Sequence, residues 1–582
     1  MATDPSNLEI AAVFDELADL YELDGAVVHR VLAYRGAAKS AREAMVSVAG
    51  MARQGRVTEL AGIGKTLEEK LVALLETGEI PALEKLRGKY PPGLLEMTRL
   101  PGLGPKRAKR LFTELGIRSP AELRAAAEGQ HLRGLKGFGP KFEASVLSSL
   151  AAGVAERPAQ RVLLHRALTA GEQIVAALRA HPAAERVELA GSARRQADSV
   201  KDLDIIATAS DPGALVRALA DIEGIESASA PNEHAARGRT HTGLPVDLRV
   251  VEPANFGNLL QHFTGSQAHN VALREAAVRR GLHVSEYGIL DDATGETLHC
   301  ATEEEVYERL GLPYPEPELR ENRGELAAGF VPPRLITVDD LRGDLHMHTT
   351  ASDGRNSIEE MARGALARGY EYIAITDHSA THGFGDHVTP DELERQIERV
   401  AEVNERLSGE GIRVLAGTET NILPSGAPDY DDDLLARLDW VVGSVHTAFG
   451  TPTSEMTKRM VAAIEHPYID VIGHPTGRKI GRRAGYGLDL DAVIAAAART
   501  GTMLEINSAP DRRDLDDVNA RAAARAGVLL TIDSDAHGAD TLHHVRWGVA
   551  TARRAWLGPE HVANTRPWEA FARLRKRARD ST

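Results

Sequence analysis

The chain has 582 residues, several times what one hydrophobic core usually takes, so about three to five domains are expected. Its 43% hydrophobic and 26% charged residues are ordinary for a globular protein, and a net charge of -15 excludes a uniformly basic coat for nucleic acid while leaving room for local basic faces. A single cysteine, Cys300, excludes an intrachain disulfide, and with no basic-apolar leader and no apolar run of about 18 residues a cytoplasmic protein without membrane contact is expected.

The first quarter carries apolar residues at helical spacing, as in "AAVFDELADLYEL" and "LEEKLVALLE". One pattern recurs within it: "LAGIGKTLEEKL" from Leu60, "LPGLGPKRAKRL" from Leu100 and "LKGFGPKFEASV" from Leu135. Each copy sets two glycines (Gly62 and Gly64, Gly102 and Gly104, Gly137 and Gly139) before a helix start bearing Lys65, Lys106 or Lys141. Glycines permit a tight turn and close approach, and the free N–H groups of a helix start attract a phosphate oxygen. One such turn is as well explained by a plain helical hairpin. Three copies, in a chain whose residues 91–145 hold ten Lys/Arg against five Asp/Glu, point to sequence-independent grip on a DNA backbone. They resemble helix-hairpin-helix motifs.

From about Val187 strands are expected. "RVELAGSARR" ends in Gly191-Ser192, "KDLDIIATAS" carries Asp202 and Asp204, and "GLPVDLRVVE" carries Asp247. Residues two apart project from one face of a strand, and two carboxylates side by side suit a cation such as magnesium with bound phosphates. With Gly-Ser-x-Arg-Arg about ten residues upstream, a common Asp-x-Asp becomes a specific pattern. Residues 1 to 318 resemble, in consistent order, the family X DNA polymerases of the nucleotidyltransferase superfamily, and "NFGNLLQHFTGSQAHNVALREAAVRRGLHVSEYGI" continues the likeness. The resemblance implies that Asp202, Asp204 and Asp247 hold two Mg2+ or Mn2+ ions for attack of a primer 3'-hydroxyl on a deoxynucleoside triphosphate. It also implies that Ser192 and Arg195 bind the β- and γ-phosphates, that Phe263 and Gly265 lie beside the incoming sugar, that Asn270 touches the base edge and that Arg274 faces the template. His262 departs from the pattern, standing where better-known members have Tyr. Lys70 matches the lysine that members with a lyase domain use as a Schiff-base nucleophile on 5'-deoxyribose phosphate. Thr66 replaces a second lysine there, and a phosphate-touching or solvated Lys70 is the alternative.

"PYPEPELRENRGELAAGFVPPRLI", rich in Pro and charge, reads as a linker. Beyond it "YIAITDHS", "IRVLAGTETNIL", "LDWVVGSVHT", "IDVIGHPTG", "GTMLEINSAP" and "GVLLTIDSDAH" alternate with helical stretches, as in a parallel α/β barrel or doubly wound sheet. Barrel sites form at C-terminal strand ends. Nine residues stand at such ends: His346, His348, Asp353, His378, Glu419, His446, His474, Asp535 and His537. Residues 341–582 resemble the polymerase and histidinol phosphatase (PHP) domain, a distorted barrel holding up to three metals, and the resemblance implies Glu419 as a bridging ligand. Imidazole with carboxylate suits Mn2+, Zn2+ or Fe.

The expected organisation is therefore multidomain: a helical lyase-like domain (1–90), helix-hairpin-helix fingers (91–155), an α+β nucleotidyltransferase palm (156–252), a thumb (253–318), a linker (319–340) and a distorted β/α barrel (341–582). One half would make phosphodiester bonds and the other break them, as in the bacterial form of family X polymerase acting in DNA repair on gapped or nicked DNA. A monomer is expected. The alternative is a DNA-binding nucleotidyltransferase whose PHP half is a phosphatase on small or terminal phosphomonoesters. An RNA-modifying transferase is disfavoured by the helix-hairpin-helix repeats, and a non-catalytic scaffold by the intact ligand sets.

Overall fold

A computed structural model describes residues 4–98, 100, 102–151, 161–383 and 385–576. The chain forms two compact units, one made of residues up to Val162 with Thr169–Leu189 and Lys201–Glu252, the other of Leu163–Leu168, Ala190–Val200 and the chain from Pro253 onward. The expected boundary at 155/156 lies outside the described residues.

In the first unit the N-terminal part is helical. Its opening helix, Asn7–Asp24, starts on a capping box between Ser6 and Glu9, and the buried Asn7 side chain ties it to the 44–48 turn by donating to Ala44 O and Val46 O. All three glycine repeats form a turn into a helix: Lys65–Thr77, Pro105–Leu115 and Pro140–Ala151. The residue between each pair of glycines, Ile63, Leu103 or Phe138, is buried and plugs the turn into the core. One cluster of buried apolar residues runs from Ile10 to Val146, so the segments expected as separate domains at 90/91 share a core.

The segment expected as a palm carries a five-stranded sheet in the order Ala184–Leu189, Leu203–Ala209, Pro245–Val250, Ala235–Thr240, Ile225–Asn232. Only the pair Leu203–Ala209 with Pro245–Val250 is parallel, and its register sets Asp204 opposite Asp247.

From Pro253 the second unit continues with the segment expected as a thumb, made of helices Phe256–Thr264, Gln267–Val278 and Glu303–Arg309 with a three-stranded antiparallel sheet. The segment read as a linker is not a free tether. Arg320 and Glu325 within it are fully buried. Arg320 pairs with Glu303 and lies over the rings of Tyr307 and Tyr314, while Glu325 accepts from His269 Nδ1 at 2.7 Å. On the barrel side Arg553 donates to Glu318 at 2.7 Å, Arg323 to Asp517 at 2.9 Å, and Ile336 N to Leu557 O at 2.9 Å. Partners far away in sequence make a strap of a stretch whose composition alone suggests a spacer.

The barrel has seven parallel strands in chain order: Gly343–Asp344, Tyr372–Ile375, Arg413–Asn421, Trp440–Ser444, Val471–Ile472, Met503–Asn507 and Leu530–Asp533. Most are buried on both faces, which is why they read as continuous apolar runs. A bridge between Met347 and Ala536 nearly closes the ring beyond the first and last strands. Trp440, Tyr372 and Phe571 fill its floor, the last two stacked with centroids 4.8 Å apart. No described helix is long and apolar enough to cross a membrane.

Candidate functional site

The barrel strand ends bring all nine expected residues to one mouth. Glu419, buried on Arg413–Asn421, is surrounded by five imidazoles: His378 Nδ1 at 2.8 Å, His474 Nε2 at 2.9 Å, His446 Nε2 at 3.2 Å, His346 Nε2 at 3.4 Å and His348 Nε2 at 3.6 Å. The remaining carboxylates stand at the edge of this cluster, Asp535 Oδ1 3.2 Å from His348 Nε2 and Asp353 Oδ2 3.3 Å from His537 Nε2. Three overlapping groups have ligand-type atoms within 4.8 Å of one another: His348, Asp353, His378 and His537; His346, His348 and Asp535; and His378, Glu419 and His446.

Charge and burial compete here. Burial would raise Glu419, but His446, His346 and His378 hold it well below the usual carboxylate range, and His346 and His348 do the same for Asp535. Burial drives His348 down to about 3, helped by repulsion from His378 and His537, and His474 to about 3, helped by Arg512. The same carboxylates, working against burial, push His346 and His378 up and His537 up to about 9, so a metal ion would find ionised carboxylates and two neutral rings and would displace protons from the other three. The fit has a second support: His346 Nε2 and Glu419 Oε2 are buried 3.4 Å apart, and neither makes a well-aligned hydrogen bond, although Glu419 Oε2 also lies 2.8 Å from His378 Nδ1. Polar atoms left so are costly, and a divalent cation is the chemistry that satisfies both.

The strand-end pattern overlooks a tenth residue. Glu505, fully buried on Met503–Asn507, lies 2.6 Å from His346 Nδ1 and accepts from the backbone N–H of His474, while Asn507 Nδ2 donates to Glu505 at 3.2 Å and to Asp535 at 3.0 Å. Such a carboxylate fixes the tautomer and ring orientation of an imidazole whose other nitrogen faces a metal. In "GTMLEINSAP" it occupies the strand-end place that Glu419 holds in "AGTETN", so the same signal marks it. A cavity of about 560 Å3 opens over the cluster, with Phe449, Lys479, Arg483 and Arg512 in its wall.

The polymerase-type residues are placed less closely. Asp204 and Asp247 are cross-strand neighbours, and Asp202 is exposed one residue before its strand. Asp247 is engaged by Arg249 at 2.8 Å. Among the described residues the three carboxylates do not form a group within 4.8 Å. Like charges on adjoining strands stay apart, and Arg249 takes up one of them. In the second unit Ser192 lies in the short helix Gly191–Arg194, and Arg195 donates to Glu321 at 3.0 Å and to Thr264 O at 2.8 Å. Asn270 accepts from Gln261 at 2.9 Å and donates to His262 O at 2.7 Å, Arg274 lies 3.3 Å from His262 Nδ1, and Phe263 is half-buried. Gly265 has no room for a side chain, since a Cβ would come within 2.4 Å of Asn270 Oδ1. Lys70 is half-buried on its helix.

Glycine turns into helices, a sheet with aspartates in register, a thumb, and a parallel barrel around a buried His/Asp/Glu cluster define a nucleotidyltransferase architecture joined to a metal-dependent phosphoesterase. Residues 5–80 match the helix-hairpin-helix domain, 94–152 the SAM-like helix-hairpin-helix tandem, 259–321 the DNA polymerase beta thumb and 344–509 the PHP domain. Over 560 residues the chain is 37% identical to the DNA polymerase/3'-5' exonuclease PolX of Bacillus subtilis, covering 96% of this chain and 97% of that protein. It belongs to the PolX family, the bacterial family X DNA polymerases with a C-terminal PHP domain. Parts of the chain are also similar to a probable phosphatase of Caldanaerobacter subterraneus (33% identical, 33% of this chain and 75% of that protein) and to one of Shewanella sediminis (31% identical, 40% and 94%).

Proposed function

We propose that this protein fills short gaps in DNA by template-directed addition of deoxynucleotides and trims DNA ends in the 3'-to-5' direction. The observation that carries the reading is the presence, in one chain alike over nearly its whole length to a polymerase/exonuclease, of two distinct acidic sites. In the polymerase half Asp202, Asp204 and Asp247 hold two Mg2+ or Mn2+ ions, Ser192 and Arg195 take the triphosphate, Phe263 and Gly265 border the sugar, and Asn270 and Arg274 meet base and template. The glycine turns with Lys65, Lys106 and Lys141 hold the DNA backbone. Lys70 is the nucleophile if the N-terminal domain removes 5'-deoxyribose phosphates.

In the barrel the nine-residue cluster, with Glu419 at its centre, would hold up to three Mn2+, Zn2+ or Fe ions. When bound, such ions lower the pKa of water and neutralise charge on a phosphoryl group. Glu505 orients His346, the neutral rings of His348 and His474 present lone pairs, and Lys479, Arg483 and Arg512 supply positive charge for a DNA phosphate. The likeness to probable phosphatases favours a second reading, hydrolysis of phosphomonoesters.

The test is a 5'-labelled gapped duplex incubated with and without deoxynucleotides, in Mg2+ and then in Mn2+, beside p-nitrophenyl phosphate. Extension with nucleotides and 3'-end shortening without them are expected. No extension would defeat the polymerase reading. Hydrolysis of p-nitrophenyl phosphate with intact DNA ends would favour the second one.

A further inference from the structure

The segment Ala190–Val200 carries Ser192 and Arg195, and it packs within the same compact unit as the barrel. Its turn is strained, since Gln196, a non-glycine residue, has φ +57°. Such a turn persists when its surroundings hold it, and three barrel arginines do so. Arg478 Nη1 donates to Asp198 Oδ2 at 2.8 Å, with Arg513 Nη1 3.4 Å from Asp198 Oδ1. Arg513 Nη2 donates to Gln196 O at 3.0 Å, and Arg554 Nη1 to Arg195 O at 2.7 Å. Arg513 is only 1% exposed and keeps its charge although burial pulls its pKa down to about 10, so these partners offset the cost of burying a cation.

Two further contacts give the arrangement a direction. Glu321 Oε1 accepts from Arg195 Nε at 3.0 Å and from Arg554 Nη1 at 2.9 Å. A triphosphate that captures the Arg195 guanidinium therefore leaves Glu321 with a cationic partner, and no part-buried carboxylate is stranded by the exchange. On the barrel side Arg478 Nη2 donates to Arg513 O, and Thr476 Oγ1 donates to Asp514 Oδ1 at 2.9 Å, so the loop after His474 and the loop at 509–514 form one rigid seat.

We infer that Asp198 is a positioning residue for DNA synthesis: clamped by Arg478 and Arg513 of the PHP barrel, it holds Ser192 and Arg195 in the geometry that receives the nucleotide triphosphate. The inference rests on the polymerase reading above. In the full-length protein, Asp198→Ala should raise the KM for deoxynucleotide on a gapped duplex about tenfold, as for the loss of one charge-assisted hydrogen bond, with kcat changed far less. Cleavage of a labelled single strand from its 3' end should stay within about twofold of wild type, because Asp198 touches none of the cluster residues. Asp198→Glu, which keeps the charge, should recover most of the lost affinity. Arg478→Ala should raise the same KM, and Asp198→Ala with Arg478→Ala should be no worse than the worse single variant, the mark of partners in one contact. An unmoved KM in Asp198→Ala, an equal fall in synthesis and cleavage, or additive effects in the double variant would each overturn the inference while normal wild-type extension keeps the polymerase reading. A wild-type protein that adds no nucleotide would bring down both.

Discussion

Glu419 and Glu505 occupy equivalent places at the ends of barrel strands, yet their surroundings assign them different work. Glu419 faces five imidazoles and has a carboxylate oxygen without a well-aligned hydrogen bond, whereas both oxygens of Glu505 accept from His346, His474 and Asn507. The first is a place for an ion, the second a support for a ligand. Glu505→Gln keeps the shape but replaces the charge that anchors His346. Metal-dependent cleavage should fall about 10- to 100-fold, with bound metal per protein reduced and nucleotide addition unchanged. Metal analysis of the purified variant beside both assays checks this, and wild-type cleavage in the variant would make Glu505 a mere packing residue. A second residue-scale prediction concerns Lys70. Borohydride reduction on a 5'-deoxyribose-phosphate substrate should trap a covalent adduct that disappears in Lys70→Ala, and trapping undiminished in that variant would exclude this amine.

At the scale of elements, the glycine turns separate two demands that a motif merges. Gly62, Gly102 and Gly137 have φ of +81°, +78° and +93°, whereas Gly64 and Gly104 have ordinary extended backbone before their helices. A Cβ on Gly104 or Gly139 would meet nothing within 4 Å. Gly102→Ala should therefore cost about 1 kcal/mol of stability or more through its backbone angle. Gly104→Ala with Gly139→Ala should leave the melting temperature unchanged yet weaken DNA binding by keeping phosphates away. Replacing Lys106 and Lys141 by Ala should make duplex binding less sensitive to salt, the slope shrinking by about 0.9 for each phosphate no longer neutralised, equally for all sequences. An unchanged slope would mark these turns as helical hairpins only. The repeats were legible because everything they need is local: two glycines, an apolar plug and a helix start. The strap was not, because the burial of Arg320 and Glu325 depends on Glu303 and His269, which no local pattern connects to them. Its anchor also has a pH signature. Burial drives His269 below its ordinary pKa, and at Glu325 the His269 hydrogen bond and backbone N–H groups overcome burial and lower it too. Groups whose folded pKa lies below the unfolded value lose their stabilising effect as pH falls, first through His269 below about pH 6.5 and then through Glu325. The melting temperature of wild type should accordingly drop more between pH 7 and 5 than that of His269→Gln.

For the whole molecule, the decisive property is that the two sets of acidic residues belong to different compact units. Asp202, Asp204 and Asp247 are in the first, and the nine barrel residues with Glu505 are in the second. Both sets stand out in the sequence because like-charged or ligating side chains recur at strand spacing. The barrel set is drawn tight in the fold, since its histidines and carboxylates attract one another, while the palm carboxylates repel and spread. The contacts through Asp198 were beyond reach of sequence reading, because arginines at 478, 513 and 554 declare no partner until the fold brings the turn at 195–198 against them. They connect the second unit's barrel to the segment that bears Ser192 and Arg195, not to Asp202, Asp204 and Asp247, so the two chemistries should still separate cleanly by mutation. Asp202→Asn with Asp204→Asn should abolish nucleotide addition and leave 3'-end cleavage close to wild type. His346→Ala with Glu419→Ala should abolish cleavage, because it removes the centre of the cluster, and leave synthesis largely intact provided the barrel keeps its fold, which circular dichroism and the binding of gapped duplex would verify. Loss of both activities in either folded double variant would mean that one site serves both reactions.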